Sequence, residues 1–423
     1  MSGHSAAGSS ATAQPELPLA SAGAAAGAWR MLVILAVAEL LGMSLWFTAS
    51  AVTAQLAPRW GLGTSETAWL TGIVQLGFVC GTAIAAILNL SDVIPTRLLF
   101  AGSALLAALA NVLLLRVHGY EGALACRFAT GAMLAGVYPP AMKMTATWFH
   151  DRRGLAIGVI VGALTLGKGT PYLVSALASG SVSAVVAATS AGAAVAALLI
   201  LLLYHDGPHA FTRRPFSWLL VREVASRREW RLSTAGYLGH MWELYAFWTW
   251  IGAFVAASEA ARTLGTGAAM ARLVGLIAYG AIGIGALGCV WGGWVADRIG
   301  HARLIIIALV ASGGCALLAA PAFGHSLLLI TVLAWTWGFW VIADSAQFST
   351  LVTRSVPSHA VGTALTLQTS LGFLLTMASI QLVPLVAGRI GWSVAMALLA
   401  AGPAAGIAAI RALRRRGQPV PNA

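Results

Sequence analysis

Charge is what this chain has least of. Only 9% of its 423 residues are Asp, Glu, Lys or Arg, where an ordinary soluble domain carries about 25%. A solvated globular surface cannot be built on that supply, so a soluble protein is excluded. Acids number 13 against 25 bases, and the only lysines are Lys143 and Lys168. Cysteine is scarce too. Cys80, Cys126, Cys289 and Cys315 fall in or at the ends of apolar runs with no C-x-x-C spacing, which implies neither a disulfide framework nor a zinc site. No catalytic triad, metal-ligand cluster or intact nucleotide motif is readable, so nothing points to an enzyme. The stretch Gly162–Thr170 superficially matches a phosphate-binding loop, down to Gly-Lys-Gly-Thr. An apolar run, Leu155–Leu166, stands where such a loop needs a strand and water access.

What the chain has in abundance is apolar length. It is 59% hydrophobic, with mean hydropathy +0.84. Runs of about 20 residues recur, each long enough to cross a bilayer as a helix. They predict spans near 31–54, 68–90, 96–116, 122–147, 154–178 and 182–204, then 233–257, 270–295, 302–322, 326–350, 360–387 and 391–411. The expected fold class is an all-α membrane protein, with twelve transmembrane helices in two pseudo-repeated six-helix bundles. Residues 1–28, rich in Ala, Ser, Gly and Pro, are expected to be a disordered N-terminal tail. They lack the short apolar core and cleavage pattern of a signal peptide. A first bundle over 29–204, a cytoplasmic linker over 205–231, a second bundle over 232–411 and a cytoplasmic tail over 412–423 complete the expected organisation.

The basic residues orient the spans. With the N-terminus cytoplasmic, 17 bases lie inside: Arg30, Arg97, Arg152, Arg153, six linker arginines, Arg298, Arg303, Arg354, Arg411 and Arg414–Arg416. Five lie outside: Arg59, Arg116, Arg262, Arg272 and Arg389. Both termini are therefore expected in the cytoplasm, and the net charge of +12 reads as a membrane-surface charge rather than a nucleic-acid footprint. Three bases remain, Arg127, Lys143 and Lys168, all within predicted helices of one hairpin. A charge at bilayer depth costs several kcal/mol unless paired or hydrated, which makes each a candidate functional residue.

The loop after span eight reads Gly293-x-x-x-Asp297-Arg298-x-Gly300-His301, and Arg303 follows. Its counterpart after span two keeps only Asp92 and Arg97; Leu88, Val93 and Pro95 replace other positions. With Arg127-x-x-x-Gly131-x-x-x-x-Gly136 in span four, these residues resemble the major facilitator superfamily of secondary transporters over about 30–411. The resemblance implies that Asp92, Arg97, Asp297 and Arg298 form a cytoplasmic gate, weighted here toward Asp297 and Arg298. It also implies that Arg127 takes part in substrate or proton coupling. Span five has Gly158, Gly162, Gly167 and Gly169 but no recognisable Gly-Pro of the family's antiporters, and Lys168 interrupts the run. Nitrate-type importers carry an Arg in span two that has no counterpart between Trp69 and Leu90.

Of the acids, Glu39, Glu243 and Asp344 are predicted deep in the membrane. His240, Glu243 and Phe247 share a helical face in span seven, as do Trp337, Trp340, Asp344 and Gln347 in span ten. The substrate-binding candidates are Arg127, Lys143, Lys168, Tyr245, Trp337, Trp340 and Gln347. The proton-coupling candidates are Glu39, His240, Glu243 and Asp344. The first half carries an excess of buried cations and the second of buried anions. This asymmetry points to a proton-coupled importer of a small organic anion or zwitterion, working by alternating access as a monomer in a bacterial inner membrane. It is expected to need no cofactor, metal or nucleic acid. The alternatives are an exporter of amphipathic aromatic compounds, motivated by 16 tryptophans, soft-metal transport through Met43, Met142, Met144, Met241 and His240, and a sensor that binds without transporting.

Overall fold

The computed structural model describes residues 18–149, 153–209, 217–258 and 267–416, and no strand occurs among them. The first half comprises α1 (Pro18–Met43), α2 (Thr53–Trp60), α3 (Thr64–Ile87), α4 (Leu90–Val93), α5 (Thr96–Leu113), α6 (Tyr120–Leu134), α7 (Tyr138–Trp148), α8 (Arg153–Leu177) and α9 (Val182–Leu203). The linker holds α10 (Trp218–Ser226). The second half comprises α11 (Arg228–Ala257), α12 (Ala268–Gly283), α13 (Gly285–Ile299), α14 (His301–Ala322), α15 (Leu327–Ala343), α16 (Ser345–Ser355), α17 (Val361–Arg389), α18 (Trp392–Ala397) and α19 (Ala401–Arg416). Among the described residues, nine helices or joined helix pairs are long and apolar enough to cross a membrane. Three further helical columns, α1, α6 with α7, and α11, stand where spans one, four and seven were predicted.

Several predicted boundaries shift. The tail expected to be disordered over 1–28 is helical from Pro18 onward. Its alanines are the best helix formers and extend the apolar span backward at no side-chain cost. The linker expected over 205–231 contains α10, started by the Ser217 hydroxyl accepting from the Leu220 amide, and α11 begins at Arg228, inside the predicted linker. The tail expected from residue 412 continues α19 as far as Arg416. Arg152, Arg213, Arg214 and Arg262, which the orientation argument used, lie outside the described residues.

Five columns are interrupted, the last of them by a 3-10 turn at Leu398–Ala400 between α18 and α19. Column one leaves α-geometry at Ser44–Ala49 and re-forms through a 3-10 turn at Ser50–Val52. Column four breaks between Leu134 and Tyr138, where Pro139 and Pro140 cannot supply interior N–H donors but suit a helix start. Column eight breaks at Ile284 and column ten at Asp344, whose φ −93° and ψ −9° turn the chain between α15 and α16. Such interruptions are tolerated at membrane depth only where protein or a cavity satisfies the freed backbone groups.

Small residues set the packing within the halves. A Cβ at Gly131 on α6 would collide with the Val74 carbonyl on α3, and one at Gly77 with the Phe128 carbonyl on α6. Gly338 on α15 abuts the Ala281 carbonyl on α12 in the same way. Between the halves, α3 packs along α17, and α8 packs along both α12 and α13. The approach is tightest at the end opposite the chain termini, where a Cβ on Gly275 would come within 3.0 Å of the Tyr172 carbonyl. There the Ser65 hydroxyl also lies 3.2 Å from the Gln381 amide, joining α3 to α17.

Candidate functional site

The break in column one leaves the carbonyls of Leu45 and Trp46 turned away from a regular helix ladder, and Arg127 answers them. From α6 its guanidinium donates to the Leu45 carbonyl at 3.0 Å and to the Trp46 carbonyl. It also donates to Asn111 Oδ1 on α5 at 3.1 Å. The Asn111 amide in turn donates to the Ser190 hydroxyl at 2.9 Å and to the Thr189 hydroxyl at 3.2 Å on α9. Thr189 meets Thr48 in the broken segment at 3.3 Å. Arg127 is fully buried, and its charge is balanced by carbonyl dipoles rather than by an acid. Its two terminal nitrogens are committed to the scaffold, while Nε has no partner among the described residues.

Lys168 is different. Residue 168 lies about 22 Å along α8 from Arg153, at 1.5 Å per residue, and it is 1% exposed. Its neighbour Gly167 lies against the Leu40 backbone, since a Cβ there would strike the Leu40 carbonyl. That contact sets Lys168 at the level of Glu39. The ammonium lies 4.0 Å from the Trp46 ring centre, 4.5 Å from Tyr245, 5.6 Å from Trp248 and 5.8 Å from Phe373. It also donates to the Tyr245 hydroxyl. Among the described residues no carboxylate stands within ion-pair distance of it. Each cation–π contact contributes about 0.5–2 kcal/mol, so the cage offsets part of the cost of burying an unpaired ammonium.

The cage spans the two halves. Trp46 belongs to the first; Tyr245, Trp248 and Phe373 belong to the second. Phe47 and Phe78 extend it, with Phe78 centred 4.7 Å from Phe373 and Phe47 6.2 Å from Trp248. The Tyr172 hydroxyl donates to the Trp248 carbonyl at 3.1 Å and ties α8 to α11. Buried polar groups without partners among the described residues include both oxygens of Glu39, both amide atoms of Gln75 and of Gln368, and the indole nitrogens of the cage members Trp46 and Trp248. Buried polar atoms are normally satisfied. Trp46 and Trp248, both in the cage, and Glu39 are exceptions where a ligand or water can complete the bonding.

The other candidates separate into distinct places. Lys143 was expected deep in the membrane as a substrate ligand. It is 22% exposed and bonds Asp92 Oδ1 at 2.7 Å. It lies near the end of α7, where its stem carries the ammonium to the bundle surface. The Asp92–Lys143 ion pair thus forms on the degraded loop copy, while Arg97, Asp297 and Arg298 are exposed. Arg298 stacks on Trp294 at 3.6 Å and donates to that residue's carbonyl at 2.7 Å.

The acids of the second half turn into their own bundle instead of toward the cations. Glu243 accepts from the Ser312 hydroxyl and the Trp337 indole, each at 2.8 Å. His240 Nδ1 stands 2.9 Å from Asp344 Oδ1, without the alignment of a hydrogen bond. The single face expected for span ten is split by the break at Asp344. Trp337 points to Glu243 and to Phe247, 4.5 Å between ring centres. Trp340 leaves for the outer side, 5.3 Å from Trp291, beside a shallow groove lined by Ile284, Val332 and Trp335. Gln347 bonds His301 at 2.7 Å near the terminus-bearing end. Of the seven substrate candidates, only Lys168 and Tyr245 meet at the cage.

Sequence reasoning missed Trp46, Trp248, Phe78 and Phe373 as cage members and Asn111 as the partner of Arg127. Aromatics in apolar spans carry no signal of their own. Asn111 could have been noticed as a lone amide in the apolar run of span three.

The profile of the Major Facilitator Superfamily matches residues 32–379. The chain belongs to that superfamily. Solved members share its fold. A bacterial homolog of the human lysosomal transporter Spinster, in an inward-facing and unoccupied conformation, superposes with TM-score 0.72 at 13% identity, over 94% of this chain and 99% of that one. The nucleoside transporter NupG, in a mutant form, gives TM-score 0.69 at 14% identity, over 90% and 99%. At those identities the likeness concerns the fold alone. An MFS-type transporter of Aspergillus terreus, pytF, is 31% identical over 110 residues, which are 25% of this chain and 36% of that protein. The match thus spans about a third of the relative's length. Membership of the Major Facilitator Superfamily makes this a multi-pass membrane protein of a transport family, and the Lys168 cage lies between its two halves.

Proposed function

We propose that the chain is a secondary transporter that takes up a small organic anion or zwitterion with protons, by alternating access. The observation that carries this reading is Lys168: a buried ammonium at the junction of the halves, with Glu39 nearby but no carboxylate within ion-pair distance among the described residues, and rings of both halves around it. A substrate carboxylate would supply the missing counter-charge, and the rings would hold its apolar body. Pairing of the substrate with Lys168 weakens the cation's hold on Trp46, Tyr245 and Trp248. The substrate therefore interacts differently with the closed and open arrangements, as a transported ligand must.

Glu39 is the proton carrier in this scheme, because it sits beside Lys168 with both oxygens unpartnered. His240 and Asp344 form a second protonatable pair, and Glu243 is a fixed element of the second bundle. Asp92 with Lys143 belongs to the gate at the terminus-bearing end. The arginine distribution supports placing that end, and both termini, in the cytoplasm of a bacterial inner membrane.

The deciding experiment is a thermal-shift screen of the purified protein against small organic anions, repeated with Lys168→Ala, followed by uptake into proteoliposomes. Binding that needs Lys168 and accumulation that collapses with a protonophore support the scheme. Protonophore-insensitive uptake refutes it. A second reading, export of amphipathic aromatic compounds, is favoured by the all-aromatic cage around a single charge. It predicts heightened sensitivity of a deletion strain to such compounds.

A further inference from the structure

We infer that the terminus-bearing end of the second half carries a binding site for the phosphate headgroup of an anionic phospholipid. The site is an open surface concavity of about 290 Å3 lined by Ile299, Gly300, His301, Arg303, Leu351, Arg354 and Arg414. Three guanidinium groups reach it from three different helices: Arg303 from α14, Arg354 from α16 and Arg414 from α19. No acid lines the concavity. Among the described residues none of the three arginines has an ion-pair partner, whereas Lys143 and Arg227 each hold an acid. Guanidinium groups gathered at one concavity without a counter-ion repel one another.

The backbone adds to the same field. Gly300, at φ +88°, lets the chain turn directly from α13 into α14, and the first turn of α14 forms one wall of the concavity. Of the opening amides of this 22-residue helix, those of Arg303 and Leu304 bond the Gly300 carbonyl, and the positive end of the helix favours an anion. The guanidinium fork is the group best matched to phosphate oxygens.

The apolar part of the lining decides the source of the phosphate. Ile299 and Leu351 sit beside the cations, and α13, which ends at Ile299, carries exposed Leu287, Val290 and Trp294 along its length. That is a surface for acyl chains descending from a headgroup held at the bilayer edge. Basic pockets between helix ends at the cytoplasmic face are suited to such headgroups. His301 bonds Gln347 three residues beyond the Asp344 break, which connects the concavity to the column that carries Asp344, the partner of His240. The inference rests on the concavity and its charges, not on the identity of the transported solute.

Full-length protein would be reconstituted in nanodiscs of phosphatidylcholine with a minor fraction of phosphatidylglycerol, and co-purifying lipid would be quantified by native mass spectrometry. Wild type is expected to retain phosphatidylglycerol several-fold over phosphatidylcholine. The combined variant Arg303→Gln, Arg354→Gln, Arg414→Gln should lose that preference. A variant with all three changed to Lys should keep part of it, and Arg228→Gln with Arg231→Gln, at another basic stretch, should keep all of it. Size-exclusion profiles would establish that each variant is folded. Equal retention by wild type and the triple Gln variant overturns the inference. So does displacement of the lipid by millimolar inorganic phosphate, which would make the concavity a site for a soluble anion.

Discussion

Lys168 lies 4.0 Å from the centre of the Trp46 indole, and the Trp46 carbonyl is held by Arg127. One buried cation thus positions the ring over which the other sits. The two perform different work: Arg127 stabilises an interrupted helix, and Lys168 stands between the halves with Glu39 nearby but no carboxylate within ion-pair distance among the described residues.

Loss of the Lys168 charge should abolish substrate recognition. A charge-assisted hydrogen bond contributes about 1.5–3 kcal/mol, or about 10- to 150-fold in affinity. Lys168→Gln is expected to weaken binding by at least that factor in isothermal titration. Tyr245→Phe, which removes one hydroxyl and keeps the ring, should cost about tenfold or less. A Gln variant that binds normally would place the substrate elsewhere.

Glu39 should separate binding from coupling. Glu39→Gln keeps the volume and cannot release a proton. Solute exchange across proteoliposomes holding equal pH on both sides should continue, while accumulation driven by an imposed pH gradient should disappear. Unimpaired gradient-driven accumulation by this variant would remove Glu39 from the coupling step.

Arg127 should matter first for stability. Arg127→Gln leaves the Trp46 carbonyl and Asn111 Oδ1 without their Arg127 donor, at about 1–3 kcal/mol for each orphaned group, while the Leu45 carbonyl keeps the Thr48 hydroxyl at 3.1 Å. A melting temperature lower by several degrees is expected, and Arg127→Lys should recover little because one ammonium cannot span the three acceptors. Asn111→Ala combined with Arg127→Gln should cost less than the sum of the separate changes, since both belong to one network.

Gly131 tests the close approach of α3 and α6. Gly131→Ala inserts a methyl group into the Val74 carbonyl, and overpacking of this kind costs about 1–3 kcal/mol. Gly102, whose Cβ would meet nothing within 4 Å, should accept Ala with an unchanged melting temperature.

Asp92 and Lys143 should be exchangeable. The pair is about one-fifth exposed, so its contribution to stability is small, about 1 kcal/mol or less. Either single neutralisation should shift transport rate more than melting temperature. The reciprocal swap Asp92→Lys with Lys143→Asp should restore the rate if the pair acts as a gate contact.

The sequence by itself determined the class of this protein. Apolar runs of bilayer length, a charge content too low for a soluble surface and the Asp297–Arg298 loop are properties of local composition and spacing, which no packing can alter. For the same reason Lys168 stood out: a lysine in the middle of an apolar helix is visible without coordinates. Tertiary structure alone decided which buried charges meet. The face of α11 bearing His240 and Glu243 is legible as a face, but its direction depends on where α14 and α15 lie, and they draw it into the second bundle. The break at Asp344 rotates Gln347 away from Trp337, and the break after Met43 presents carbonyls to Arg127. Those breaks are imposed by long-range contacts among columns, and they fix why one buried cation became a strut and the other was left open to a ligand.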